Sequence, residues 1–118
     1  MALILNDRVK ESTTSTGTGT IDLDGATGGF KSFVAGIGTT NRTFYAIVGR
    51  TTTEFEIGMG TVTDASPDTL SRDRVISSSN SDNEVTTSRV SILSSSLPIS
   101  LIVYLRLSIT EIFASSVL

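Results

Sequence analysis

Two acids two residues apart, Glu54 and Glu56, stand in the run EFEIGMGTVTD, residues 54–64. Successive side chains of an extended chain alternate between faces, so these two share one face and Phe55 and Ile57 share the other. A pair of carboxylates can divide acid and base work between them, and glycoside hydrolysis is the reaction such a pair carries unaided. That chemistry needs the carboxylates on opposite sides of a substrate, which an i, i+2 pair on one flat face does not supply. Phe55 and Ile57 give the strand an apolar side, so Glu54 and Glu56 are expected to mark its solvated face.

The other chemical temptations are weaker. IDLDG, residues 21–25, contains D-x-D-G, a fragment of a calcium loop. A complete EF-hand loop needs further oxygen ligands and a glutamate at its twelfth position, and counting from Asp22 that position is Phe33. GTGT and GIGTTN are glycine-rich but lack both the P-loop lysine and the G-x-G-x-x-G spacing, so they are expected to be turns. Asn41–Thr43 fits the glycosylation sequon. Ser77–Ser79 could supply hydroxyl nucleophiles, but the chain contains no histidine to activate them. It contains no cysteine either, which removes thiolate chemistry, disulfides and the usual zinc sites. The expectation is therefore no catalytic, cofactor-binding or metal-binding residue, and no cofactor.

The elements around these residues belong to a chain of 118 residues, one domain or one domain with a tail. Its formal charge of −3, its pI near 4.7 and the lack of any basic run argue against a nucleic-acid partner. No signal peptide is expected from MALILND. The longest charge-free run in the apolar C-terminal part, Val90 to Leu105, is shorter than the ~20 residues of a spanning helix, so no membrane span is expected.

All ten glycines fall in the first sixty positions, and this asymmetry divides the chain. Residues 1–84 are glycine-punctuated, Thr-rich and acidic. Residues 85–118 carry no glycine and only three charged residues, Arg89, Arg106 and Glu111. The first part reads as successive short strands. RVKESTTST suits an exposed or edge strand. TIDLDG alternates Ile21 and Leu23 against Asp22 and Asp24, as a half-buried strand ending at Gly25 would. GFKSFVAGI is taken as the next strand, and the β-branched, aromatic TFYAIVG as a central one. TEFEIGMGTVTD comes after a short polar link and should pair with it as an antiparallel hairpin. A Ser-Pro-Asp turn then leads to a short strand around Arg74–Ser77. In the second part Leu101–Ile109 alternates as a strand would, with a helix as the alternative, and is too apolar to stay exposed in a monomer.

Taken in order, DRVKESTTSTGTGT, TFYAIVG, EFEIGMGTVTD and TLSRDRVISSSNS resemble a small β-rich domain found in virion proteins of tailed bacteriophages, notably phages of marine bacteria and cyanobacteria. That family runs D-R-V-K-E-T-T-T-T-T-G-T-G-T, then an aromatic Y-Y-A-I strand, then E-W-E-V-G-x-G-T and L-S-R-x-x-V-x-x-S-S-N. Asp7 to Glu11, Gly17 to Thr20, Tyr45 to Ile47, Glu54 to Thr61 and Leu70 to Asn80 match these elements, with Phe55 at the tryptophan position. The resemblance covers about residues 6–81. It implies a structural, non-enzymatic virion protein of the tail or fibre, and no functional side chain is carried over with it. Past Glu84 the family continues V-N-F-S-A-G-T-K to a last strand near V-F-V-T. The present VTTSRVSILSSSLPIS looks instead like a different reading frame.

The combined expectation is an all-β fold, a small antiparallel sandwich or barrel over residues 1–84, with a C-terminal apolar segment (85–118) packing on a neighbouring subunit. Its partners would be other virion proteins and copies of itself, a trimer being favoured by the resemblance, with a host surface glycan as a further candidate. A capsid-decorating protein on the outer shell is the alternative, and a carboxylate-based glycan-cleaving domain a more distant one.

Overall fold

The computed structural model describes residues 2–86 and 90–94. Within them the chain is mostly antiparallel sheet: β1 (Val9–Thr13), β2 (Ile21–Leu23), β3 (Arg42–Gly49), β4 (Phe55–Thr63), β5 (Asp68–Leu70), β6 (Arg74–Ser78) and β7 (Val90–Ser94). A single short helix, α1 (Phe33–Gly36), interrupts them. Among the described residues no helix is long and apolar enough to cross a membrane. The strand order is β1-β7-β3-β4-β5-β2, with β6 also paired to β4. The two ends of that order meet, because the Asp24 N–H donates to Ser12 O at 3.0 Å and Glu11 bridges Ala26.

β3 and β4 form the expected hairpin, registered from Arg42 opposite Thr61 to Val48 opposite Phe55. β3 is central, flanked by β4 and β7, and is buried from Tyr45 to Gly49. β4 divides its outer edge between two partners. Residues 56–59 pair with β6 and residues 62–63 with β5, with a register shift at Ile57/Gly58. Between the two, the Ser71 N–H donates to Thr61 O at 3.0 Å, and a Cβ on Gly60 would collide with Ser71 O. Only glycine lets the backbones approach that closely.

The core gathers residues from β1, β2, α1, β3 and β5: Val9, Ile21, Phe33, Tyr45, Ile47 and Leu70 are all fully buried. Two expectations fail here. The exposed or edge strand expected at β1 does lie at one end of the strand order, but its burial alternates with Val9, Glu11 and Thr13 inside. A chain segment running from Asp24 to Lys31 covers its outer edge, with the Lys10 N–H donating to Lys31 O and the Thr27 N–H to Lys10 O. GFKSFVAGI is likewise no strand. Ser32 caps a helical turn there, its Oγ accepting from the Ala35 N–H at 3.1 Å. That side-chain acceptor satisfies a helix-start donor that a strand would have sent sideways.

Nothing in the sequence pattern signals β5, and β7 arises from the glycine-free second part. The Leu101–Ile109 strand and the packing of the C-terminal segment on a neighbour lie outside the described residues.

Candidate functional site

Glu54 and Glu56 are not a pair. Glu54 precedes β4 in the turn after β3, exposed, with the Thr52 hydroxyl 3.2 Å from its Oε2. Glu56 is fully buried. The expectation holds for Ile57, which is buried, and fails for Glu56, because both faces of β4 are covered from Glu56 to Gly58. Cross-strand pairing puts Glu56 beside Ile47 and Gly58 beside Tyr45, so the Glu56 face of β4 is the core face.

Four donors converge on the Glu56 carboxylate. The Tyr45 hydroxyl donates to Oε1 at 2.6 Å and Arg72 Nε to the same oxygen at 3.0 Å. Arg72 Nη2 donates to Oε2 at 2.8 Å, and the Val85 N–H reaches Oε2 at 2.8 Å. The guanidinium fork thus grips both oxygens, the two-point geometry that makes arginine the partner of choice for a buried carboxylate. Arg72 goes on to donate to Val85 O at 2.6 Å and Gly17 O at 3.4 Å. The two charged side chains are 2% and 0% exposed. Burial and the hydrogen bond to the carboxylate push the Tyr45 phenol well above its ordinary value. Four donors occupy about the four acceptor sites a carboxylate has, leaving no lone pair for a substrate proton. This network joins four parts of the chain, and its geometry is that of a tie.

The glycines of the same face belong to it. A Cβ on Gly58 would lie 2.5 Å from both the Tyr45 hydroxyl oxygen and Arg74 O. G-x-G here makes room for a tyrosine ring and a neighbouring strand. That is the signal the sequence does carry: glycines two and four residues after Glu56 on one strand face mean that something bulky packs against it.

A second buried carboxylate is one that sequence reasoning misses altogether. Glu11, 1% exposed, accepts the Gly25 N–H at 2.9 Å on one oxygen and the Phe33 N–H at 2.6 Å on the other. Burial raises its pKa, and the two backbone donors oppose that rise only in part.

The other sequence candidates resolve into scaffold or surface. Asp22 and Asp24 are exposed, and among the described residues no three His, Cys, Asp or Glu side chains gather at one point. Asn41 of the sequon is half-buried and donates through Nδ2 to Ile37 O at 2.9 Å, satisfying a carbonyl at the end of α1. Ser78 donates to Asn83 O at 2.5 Å, and Ser79 Oγ accepts from the Phe55 N–H at 3.0 Å, so the serine cluster pins a turn to β4. A cavity of about 450 Å³ lies between the end of β1 and the turn after β3, lined by Ser12, Thr13, Thr14, Arg50 and Thr51. No match to this chain is found among protein-family models, curated proteins or solved structures.

Proposed function

We propose that this chain is a structural protein of a tailed-phage virion, an assembly or attachment module of the tail or fibre that works without catalysis. The observation that carries the reading is where the motif residues go. Tyr45, Glu56, Gly58 and Arg72, drawn from three separate motifs of the resemblance, meet in one buried tie. A family pattern whose fixed positions hold a sheet together describes a scaffold, as a mounting module requires. Function in such modules resides in outer surfaces and in contacts between copies. The apolar segment 85–118 would supply one such contact, on a neighbouring subunit, with a trimer as the expected assembly.

The test is quantitative mass spectrometry of purified particles. A copy number matching the low rotational symmetry of a tail part supports the reading. One matching the shell lattice assigns the chain to capsid decoration, and absence from particles overturns both.

A further inference from the structure

We propose that the outward face of β1, from Arg8 through Lys10 to the cavity at Arg50, binds an acidic carbohydrate, a chain bearing uronate or sulfate groups. The inference deepens the attachment reading and rests on it for its setting, since it names the class of partner such a module would hold.

Along β1 the residues Val9, Glu11 and Thr13 face inward, so Lys10 and Ser12 share the other face, about 7 Å apart. Lys10 Nζ stands 5.2 Å and Arg8 Cζ 4.8 Å from the centroid of the half-exposed Phe30 ring. A ring orders a cation and leaves its full charge in place, whereas a carboxylate partner would cancel it. Burial and the nearby charge of Arg50 lower the Lys10 pKa, so a third cation stands within electrostatic reach of Lys10. Among the described residues the ion pairs are Arg42–Asp73 and Arg72–Glu56, and Arg8, Lys10 and Arg50 belong to neither. On a chain of net charge −3, three unpaired cations gathered together form a site for an anion from outside.

The cavity selects the kind of anion. Exposed Arg50 stands on its wall with the hydroxyls of Ser12, Thr14 and Thr51, and among the described residues those three hydroxyls have no hydrogen-bond partner. Its volume of about 450 Å³ suits one small group, such as a sugar ring. A guanidinium takes a carboxylate or sulfate through two parallel hydrogen bonds. Serine and threonine hydroxyls both donate and accept, which is what the hydroxyls of a sugar need from a binding site. A nucleic acid fits less well. Its affinity is built from many phosphate contacts and from open aromatic faces, and here the cations are few and the Phe30 ring is engaged by Arg8 and Lys10.

The test measures binding of the full-length protein to alginate, dextran sulfate, neutral dextran and a single-stranded oligonucleotide by biolayer interferometry. Alginate or dextran sulfate should bind and neutral dextran should not, and the preference between the two acidic polymers tells uronate from sulfate. Arg50→Gln and Lys10→Met keep the aliphatic stems and so the fold, and each should weaken binding about tenfold. Arg74→Gln removes an exposed cation on β6, at the far side of the sheet from β1, and should change binding by less than about twofold. Failure of both acidic polymers to bind overturns the proposal. An equal loss in all three variants also overturns it, because only net charge would then matter. Tighter binding of the oligonucleotide, lost with Arg50→Gln, overturns it in favour of a nucleic-acid surface. Particle copy number reads the virion proposal separately: a chain absent from particles that still binds alginate through Arg50 keeps this site, and a tail protein that binds neither acidic polymer loses it.

Discussion

Glu11 and Glu56 are equally buried and are stabilised in different ways. Glu56 sits against a guanidinium, a phenol and a backbone N–H, so its charge is balanced within the network. Among the described residues Glu11 has two backbone N–H groups as donors, with Asp24 and Asp68 near enough to disfavour its charge further. One carboxylate is half of an ion pair that crosses the domain. The other is a local clasp joining β1 to the Gly25 turn and to the start of α1. Burial alone says nothing about how a charge is tolerated, and the chemistry of the neighbours decides what its removal costs.

The largest expected effect comes from breaking the ion pair on one side. Arg72→Ala strands a buried carboxylate and should cost about 3–5 kcal/mol in urea unfolding. Combining Arg72→Met with Glu56→Leu should recover much of that loss, since the penalty lies in the unpaired charge. A double variant as unstable as the single one would show that shape dominates. Tyr45→Phe comes next. It removes one hydrogen bond to a charged group, about 1.5–3 kcal/mol, and leaves Oε1 still held by Arg72 Nε. Glu11→Gln should cost less, about 1 kcal/mol, because one of two backbone donors keeps an acceptor. A Glu11→Gln loss equal to that of Arg72→Ala would erase the distinction between pair and clasp.

The smallest effect concerns pH. Glu11 holds its proton more tightly in the folded chain than the ordinary carboxylate value of 4.5 allows. Its contribution to stability is therefore full below that value and is lost as pH rises through the raised folded value. Relative to Glu11→Gln, the natural protein should lose unfolding free energy on going from acid to neutral pH. A gain would mean that the clasp favours the ionised form.

Residue by residue, the sequence is legible where composition or alternation persists over five residues or more. β3 emerges from its β-branched and aromatic residues, β4 from its alternation, their hairpin from the short polar link between them, and β6 from the stretch after the Ser-Pro-Asp turn. β2 is legible despite its length because Asp-Gly closes it. β5 is three residues in a stretch of Pro, Asp and Thr, too short for any period to show. α1 is one turn, set by the Ser32 cap rather than by an apolar stripe. The core face of β4 is misassigned when charge is weighed above partner chemistry. Glu56 belongs inside only because Arg72, sixteen residues later and on no shared periodicity, comes back to meet it. Glu11 is hidden for a related reason: its partners are backbone amides, which have no signature in a sequence.

The last residue of the tie is Val85, and its contribution has a particular character. Its N–H and its carbonyl are both engaged, the first by Glu56 and the second by Arg72. These groups are common to nearly every amino acid. The polar anchor at the exit of the 1–84 region therefore grips the peptide bond and is blind to the identity of whatever is spliced on behind it. Sequence can change beyond that point without loosening these hydrogen bonds, and what the second part must still supply to the fold is β7, the strand between β1 and β3.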